Sequence, residues 1–158
     1  RDSLLAVSGT LDEKMYGKGS LDEANPRRSV YLTVKRSNLI PILQLFDAPD
    51  SIQGIGNRDI TTVPQQALAM MNSPLVRKWA EQFAARVRAK AGDAPQQIVN
   101  DAYEIALSRP PADFERERMT SFIAAQTASY GGDAKAAERA IADYCQLMLC
   151  LNEFIFVD

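Results

Sequence analysis

Ser73-Pro74-Leu75-Val76-Arg77-Lys78-Trp79-Ala80-Glu81-Gln82-Phe83-Ala84-Ala85-Arg86-Val87 reads as one amphipathic helix with its start marked. The serine supplies an oxygen for the unpaired N–H groups of the first turn, and the proline after it has no N–H to leave unpaired. Leu75, Trp79, Phe83 and Val87 recur every fourth residue, which puts them on one buried stripe. Similar punctuation lies on both sides. Upstream, Thr61-Thr62-Val63-Pro64 opens a short helix through Met71. Downstream, Asp93 and Gln96 form a capping-box pattern for a helix that carries Ile98, Ala102 and Ile105 inward and stops at Pro110-Pro111. A third helix starts at about Asp113, buries Phe114, Met119, Phe122 and Ile123, and ends near Gly131-Gly132. Asp133 caps the last, whose stripe of Ala137, Ile141, Tyr144, Cys145 and Met148 widens into Leu147-Met148-Leu149-Cys150-Leu151, apolar on every side. A helix apolar all round must be surrounded, so the expected fold is mainly α, a helical bundle around a central C-terminal helix.

The first half is less regular. Arg1 to Gly9 reads as the end of a helix capped by glycine, and Asp12 to Asn25, rich in Gly and charge, as an exposed loop. Arg28 to Lys35 alternates β-branched and aromatic residues with polar ones, which predicts a strand with Val30, Leu32 and Val34 inward. Its one comparable partner is Glu153 to Val157, so at most one short two-stranded pairing is expected; the competing reading lays both segments over helices as extended pieces. Pro41 starts a helix of one or two turns carrying Ile42, Leu43 and Phe46, and Asp47 to Asp59 forms an irregular loop. The chain is thus expected to form one helical domain: a helix end at 1–9, a loop at 10–26, strand, loops and short helices at 27–72, four helices at 73–151 and an extended tail at 152–158. A start inside a helix without an initiator Met predicts the C-terminal piece of a longer parent, and leaves the compartment unreadable.

Composition excludes several chemistries. The 158 residues contain no histidine, which removes Ser-His-Asp and Cys-His catalysis and every His-containing metal site. Two cysteines cannot make a four-ligand zinc site, and Cys145 and Cys150 lie about 140° apart around one helix, too divergent to pair. No Gly-rich phosphate cradle occurs, so no metal and no cofactor is expected. With 18 basic against 20 acidic residues there is no global field for nucleic acid, and no apolar run long enough to insert in a membrane.

The binding candidates lie in the irregular half. Asp47, Asp50 and Asp59 are the one acidic cluster off a helix surface, with Arg36 and Arg58 close by in sequence. A capping role for an Asp, paired with an Arg, is the architectural reading; convergence on an open cleft makes an anion or sugar site. Arg27, Arg28, Lys35 and Arg36 bracket the expected strand, with Tyr31 outward, a pattern suited to phosphates or an acidic polymer, or to protecting an edge strand. Glu115-Arg116-Glu117-Arg118 reads as a solvated helix face. The candidate binding residues are therefore Arg28, Arg36, Asp47, Asp50 and Arg58, and no catalytic residue is assigned.

Six pieces in order, Arg27-Arg28-Ser29-Val30-Tyr31, Phe46-Asp47-Ala48-Pro49-Asp50, Thr62-Val63-Pro64-Gln65-Gln66-Ala67-Leu68, Asn72-Ser73-Pro74, Arg109-Pro110-Pro111 and Asn152-Glu153-Phe154, resemble the C-terminal domain of unknown function of large multidomain proteins abundant in planctomycetes and related bacteria. The resemblance implies an exported or surface-associated parent, often with an upstream cytochrome-c-like domain, and a link to polysaccharide use or electron transfer. It carries the family's polar motif onto Arg28, Arg36, Asp47, Asp50, Arg58, Gln66, Asn72 and Arg109. Ala112 stands where the family has a capping hydroxyl, which shifts that helix start to Asp113, and free cysteines fit export poorly unless buried. The reading that results is a non-catalytic structural or interaction module whose partners are the upstream domains of its own parent. The alternative is part of a polysaccharide-binding or polysaccharide-processing site shared with those domains.

Overall fold

The sharpest helix boundaries are those that the sequence marks with proline, serine and glycine. In the structure, a computed structural model that describes residues 1–35, 37, 39–48, 63–92 and 94–156, the helices run α1 (Asp2–Ser8), α2 (Pro41–Leu45), α3 (Pro64–Asn72), α4 (Pro74–Ala91), α5 (Pro95–Leu107), α6 (Asp113–Ser129), α7 (Ala136–Leu149) and α8 (Asn152–Ile155). Four of these, α2 to α5, have proline at the first helical position. The Ser73 hydroxyl accepts from the Val76 N–H at 3.5 Å, and α4 ends where Gly92 turns to φ 67. Gly9 closes α1 at φ 74, donating its N–H to the Ala6 carbonyl at 3.1 Å. A side chain there would also press to 3.3 Å of the Arg86 stem.

The core forms where α4 and α7 lie against each other, with α1, α5 and α6 packed around them. α4 contributes Val76, Trp79, Ala80, Phe83, Ala84 and Val87, while Leu75 is only partly buried. α7 contributes Ala140, Ile141, Tyr144, Cys145, Met148 and Leu149; of the apolar run at its end Met148 and Leu149 are enclosed, whereas Leu147, Cys150 and Leu151 are half-buried, so the helix is not surrounded on every side. Tyr144 is fully buried and directs its hydroxyl to the Val99 carbonyl of α5 at 3.4 Å. Burial raises the Tyr144 hydroxyl and the Cys145 thiol well above their ordinary pKa values. Both cysteines are free.

The segment expected as a strand is not one. Ser29–Tyr31 forms a 3-10 turn, and among the described residues the pairing near it consists of isolated parallel bridges, Asp12 to Arg27 and Ser20 to Leu32. Leu32 is buried, but Val30 and Val34 are 73% and 57% exposed. The cause is a tether from elsewhere: Asp2 at the start of α1 accepts from the Ser29 N–H and hydroxyl at 2.7 and 2.6 Å, curling the chain where a strand would run straight. The proposed partner segment is also helical, α8, with the Phe156 N–H donated to the Asn152 carbonyl at 2.8 Å; Val157 lies outside the described residues. Three side-chain expectations change too. Phe114 is 70% exposed, because at ~100° per residue it points opposite the buried Ile123. Ala137 sits exposed in the first turn of α7, before the helix enters the core. Asp133 braces the turn ahead of α7, accepting the Lys135 N–H at 2.9 Å and pairing with Arg139 at 3.1 Å. The expected cap at Asp93 lies outside the described residues.

Candidate functional site

Of the five candidate residues, Arg28 and Asp47 are described; Arg36, Asp50 and Arg58 lie outside the described residues, as does Asp59. Arg28 precedes the 3-10 turn, is 64% exposed, and comes no nearer than 3.8 Å to Asp2. Asp47 ends α2 in the left-handed region, at φ 57, with its N–H donated to the Gln44 carbonyl at 3.3 Å. The pairing expected between the loop acids and Arg36 or Arg58 therefore falls on residues outside the description.

Two of the carried-over polar residues turn out to hold elements together. Gln66 is buried: its carbonyl oxygen accepts from the Val63 N–H at 3.3 Å and its amide donates to the Leu45 carbonyl at 2.9 Å, joining the start of α3 to the end of α2. Arg109 is the centre of a clasp. Its guanidinium makes two bonds of 2.9 Å to Glu115 in α6 and bonds of 2.6 and 2.7 Å to Glu153 in α8. Glu115 also caps its helix, accepting from the Ala112 N–H at 2.7 Å, which offsets the missing hydroxyl at position 112. The Arg109 bonds hold the Glu115 carboxyl down at about 2 and lower that of Glu153. Arg116 is engaged as well, with Asn100 at 3.0 Å and Asp113 at 2.8 Å, so half of the run read as a solvated face is bonded to its surroundings.

Two further networks were not legible in the sequence. On one side of the bundle Arg77 donates to Asp143 at 2.6 Å and to Gln146 at 3.1 Å; Tyr130 donates to Asp143 at 2.7 Å; and Gln146 reaches the Met71 carbonyl at 2.7 Å. This ties the end of α3 to α4 and α7 beside a 290 Å³ apolar cleft lined by Met71, Phe122, Leu147 and Cys150. On the other side Asp101, 2% exposed, takes Lys90 at 2.7 Å and Gln97 at 3.1 Å, while its second oxygen has no partner among the described residues. Only spacing in three dimensions reveals these groups: Arg77 and Asp143 are 66 residues apart.

A groove of about 800 Å³ lies between α1, the end of α5 and α8. Ser3 and Ala6 of α1, Ala106 and Leu107 of α5, and Phe154 and Phe156 at the C-terminal end line it, together with the polar Ser108, Asn152 and Glu153. Ala6 and Phe156 are exposed; Ala106, Leu107 and Phe154 are half-buried. Arg86 reaches from α4 to cap α1 at the Ala6 and Val7 carbonyls, at 2.8 and 2.9 Å. Among the described residues no three His, Cys, Asp or Glu side chains gather as a metal would require, and no helix is long and apolar enough to cross a membrane.

No curated protein and no solved structure matches the chain. A family model does, over residues 1–123, which run from α1 into α6 and include Gln66, Arg109 and Glu115, but stop short of α7 and α8. With most of its length so matched, the chain belongs to the family described as PSD1, protein of unknown function (DUF1553).

Proposed function

We propose that this domain is a non-catalytic interaction module of a larger bacterial protein, exported or held at the cell surface, and that it docks the upstream part of its own parent chain. The observation that carries the reading is the groove between α1, α5 and α8. Ala6 and Phe156 are exposed there, and Ala106, Leu107 and Phe154 pack against the core yet stay partly open to solvent, apolar area that a second polypeptide could cover. The small residues Ser3, Ala6 and Ala106 let a backbone approach closely, and Phe154 and Phe156 supply apolar area beside it. The polar network beside it supports a scaffolding role: Arg109, Glu115 and Glu153 are bonded to one another, which ties α8, one wall of the groove, to α6. The planctomycete setting rests on the motif resemblance. A shared polysaccharide site at Arg36, Asp47, Asp50 and Arg58 remains the alternative, and three of those four residues lie outside the described set.

Residues 1–158 and the upstream region, produced as separate chains, should co-migrate on gel filtration. Ala6→Arg, at an exposed position, should abolish that association while leaving the thermal unfolding of residues 1–158 unchanged. Separate migration of the wild-type pieces, or undiminished association of the variant, rejects the groove as the docking surface.

A further inference from the structure

The loop 12–19 has no buried side chain, yet its backbone is closely held. Arg27 sits at its centre. The guanidinium donates to the carbonyls of Lys14 at 3.0 Å, Tyr16 at 2.5 Å and Lys18 at 3.2 Å, and lies 3.7 Å over the ring of Tyr31. The Tyr31 hydroxyl in turn accepts the Tyr16 N–H at 2.9 Å. Both backbone groups of Tyr16 are therefore fixed, at φ 63, a region that residues with a Cβ rarely occupy. With three alternate carbonyls turned toward Arg27, the side chains of Lys14, Tyr16 and Lys18 are left to solvent. Tyr16 is 77% exposed and Met15 is 64% exposed beside it. Neither lysine side chain has a partner among the described residues.

We propose that this loop is a binding platform for an anionic saccharide. The Tyr16 ring stacks on the apolar face of one sugar, and Lys14 and Lys18 take its carboxylate or sulfate groups. An aromatic ring whose backbone is already held loses little freedom on binding, and its open face and unbonded hydroxyl match the mixed apolar and hydroxylic surface of a sugar. The two ammonium groups supply charge-assisted bonds where the ligand is negative. Charge count favours a saccharide over a polyphosphate or an anionic bilayer. From residue 12 to 35 the chain carries Lys14, Lys18, Arg27, Arg28 and Lys35 against Asp12, Glu13, Asp22 and Glu23, a net charge of +1. Nucleic acids and lipid surfaces are held by several cations acting together. The exposed carboxylate of Glu13 also suits a ligand with hydroxyl donors, which an ionised phosphate lacks. The site is separate from the groove and does not rest on the docking reading.

The test is isothermal titration of the full-length protein with a galacturonate hexamer and a chondroitin sulfate hexamer, against a neutral cellohexaose control. At least one anionic saccharide should bind more tightly than the neutral one. Tyr16→Gly should weaken it by about tenfold or more, the scale of a lost aromatic stacking contact, without lowering the melting temperature, because glycine accepts φ 63. Tyr16→Phe should retain binding, and Lys14→Gln with Lys18→Gln should remove the preference for the anionic ligand. Three results would overturn the proposal: no binding of either anionic hexamer, wild-type affinity in Tyr16→Gly, or tighter binding to a single-stranded DNA oligonucleotide or to phosphatidylserine vesicles than to the saccharides.

Discussion

Replacing Glu115 by Gln removes the charge from the Arg109 clasp while leaving an acceptor for the Ala112 N–H. In the native protein this carboxylate takes two 2.9 Å bonds from Arg109 and one of 2.7 Å from Ala112, and it stays ionised down to about 2 where an ordinary glutamate titrates at 4.5. Fully expressed, that difference would be worth about 3 kcal/mol. The Arg109 side chain is 36% exposed, so solvent screens the pair, and about 1–2 kcal/mol is the expected loss at pH 7. The dependence on pH follows from the depressed value. The contribution is complete above pH 4.5, where the unfolded chain is also ionised, and falls away as pH drops through about 2, where the folded carboxylate takes up its proton. Urea unfolding of the wild type and Glu115→Gln at pH 7 and at pH 2 should show a gap at the first that has closed at the second. A gap of the same size at both, or none at pH 7, would refute the assignment of the effect to this charge.

Trp79→Ala, at a side chain 3% exposed in the core, should cost about 3–5 kcal/mol in urea unfolding; a midpoint close to that of the wild type would contradict its burial. Lys90→Met leaves the buried Asp101 carboxylate without its cation, with Gln97 alone to donate to it, so it should destabilise more than the double change Lys90→Met with Asp101→Leu, as read from thermal melts of the two variants. In a thiol-reagent time course at pH 8, Cys150, half-buried beside the apolar cleft, should react before Cys145, which should react only as the protein unfolds; equal rates would show that the α7 core opens locally.

The starts of α3, α4 and α6 could be read in the sequence because they depend on short-range chemistry. Pro64, Ser73, Pro74 and the Pro110-Pro111 pair ahead of Asp113 act within a turn or so of where they stand, and the stripe Trp79, Phe83, Val87 reports which face is buried whatever covers it. The apolar end of α7 likewise pointed to burial, which Met148 and Leu149 reach while Leu147 and Cys150 border a cleft. What failed was pattern without a local cause. Residues 28–35 alternate like a strand, but their path is set by Asp2, 27 residues earlier, and Arg27 is spent on the carbonyls of its own loop instead of facing a ligand. Arg109 carried no mark in the sequence that it would join α6 to α8, because Glu115 and Glu153 reach it only once the bundle has formed. The groove between α1, α5 and α8 has the same origin. Helix starts and buried faces are properties of neighbouring residues, whereas a clasp or a groove is made of surfaces that meet only after distant helices pack, and only the tertiary structure decides which ones do.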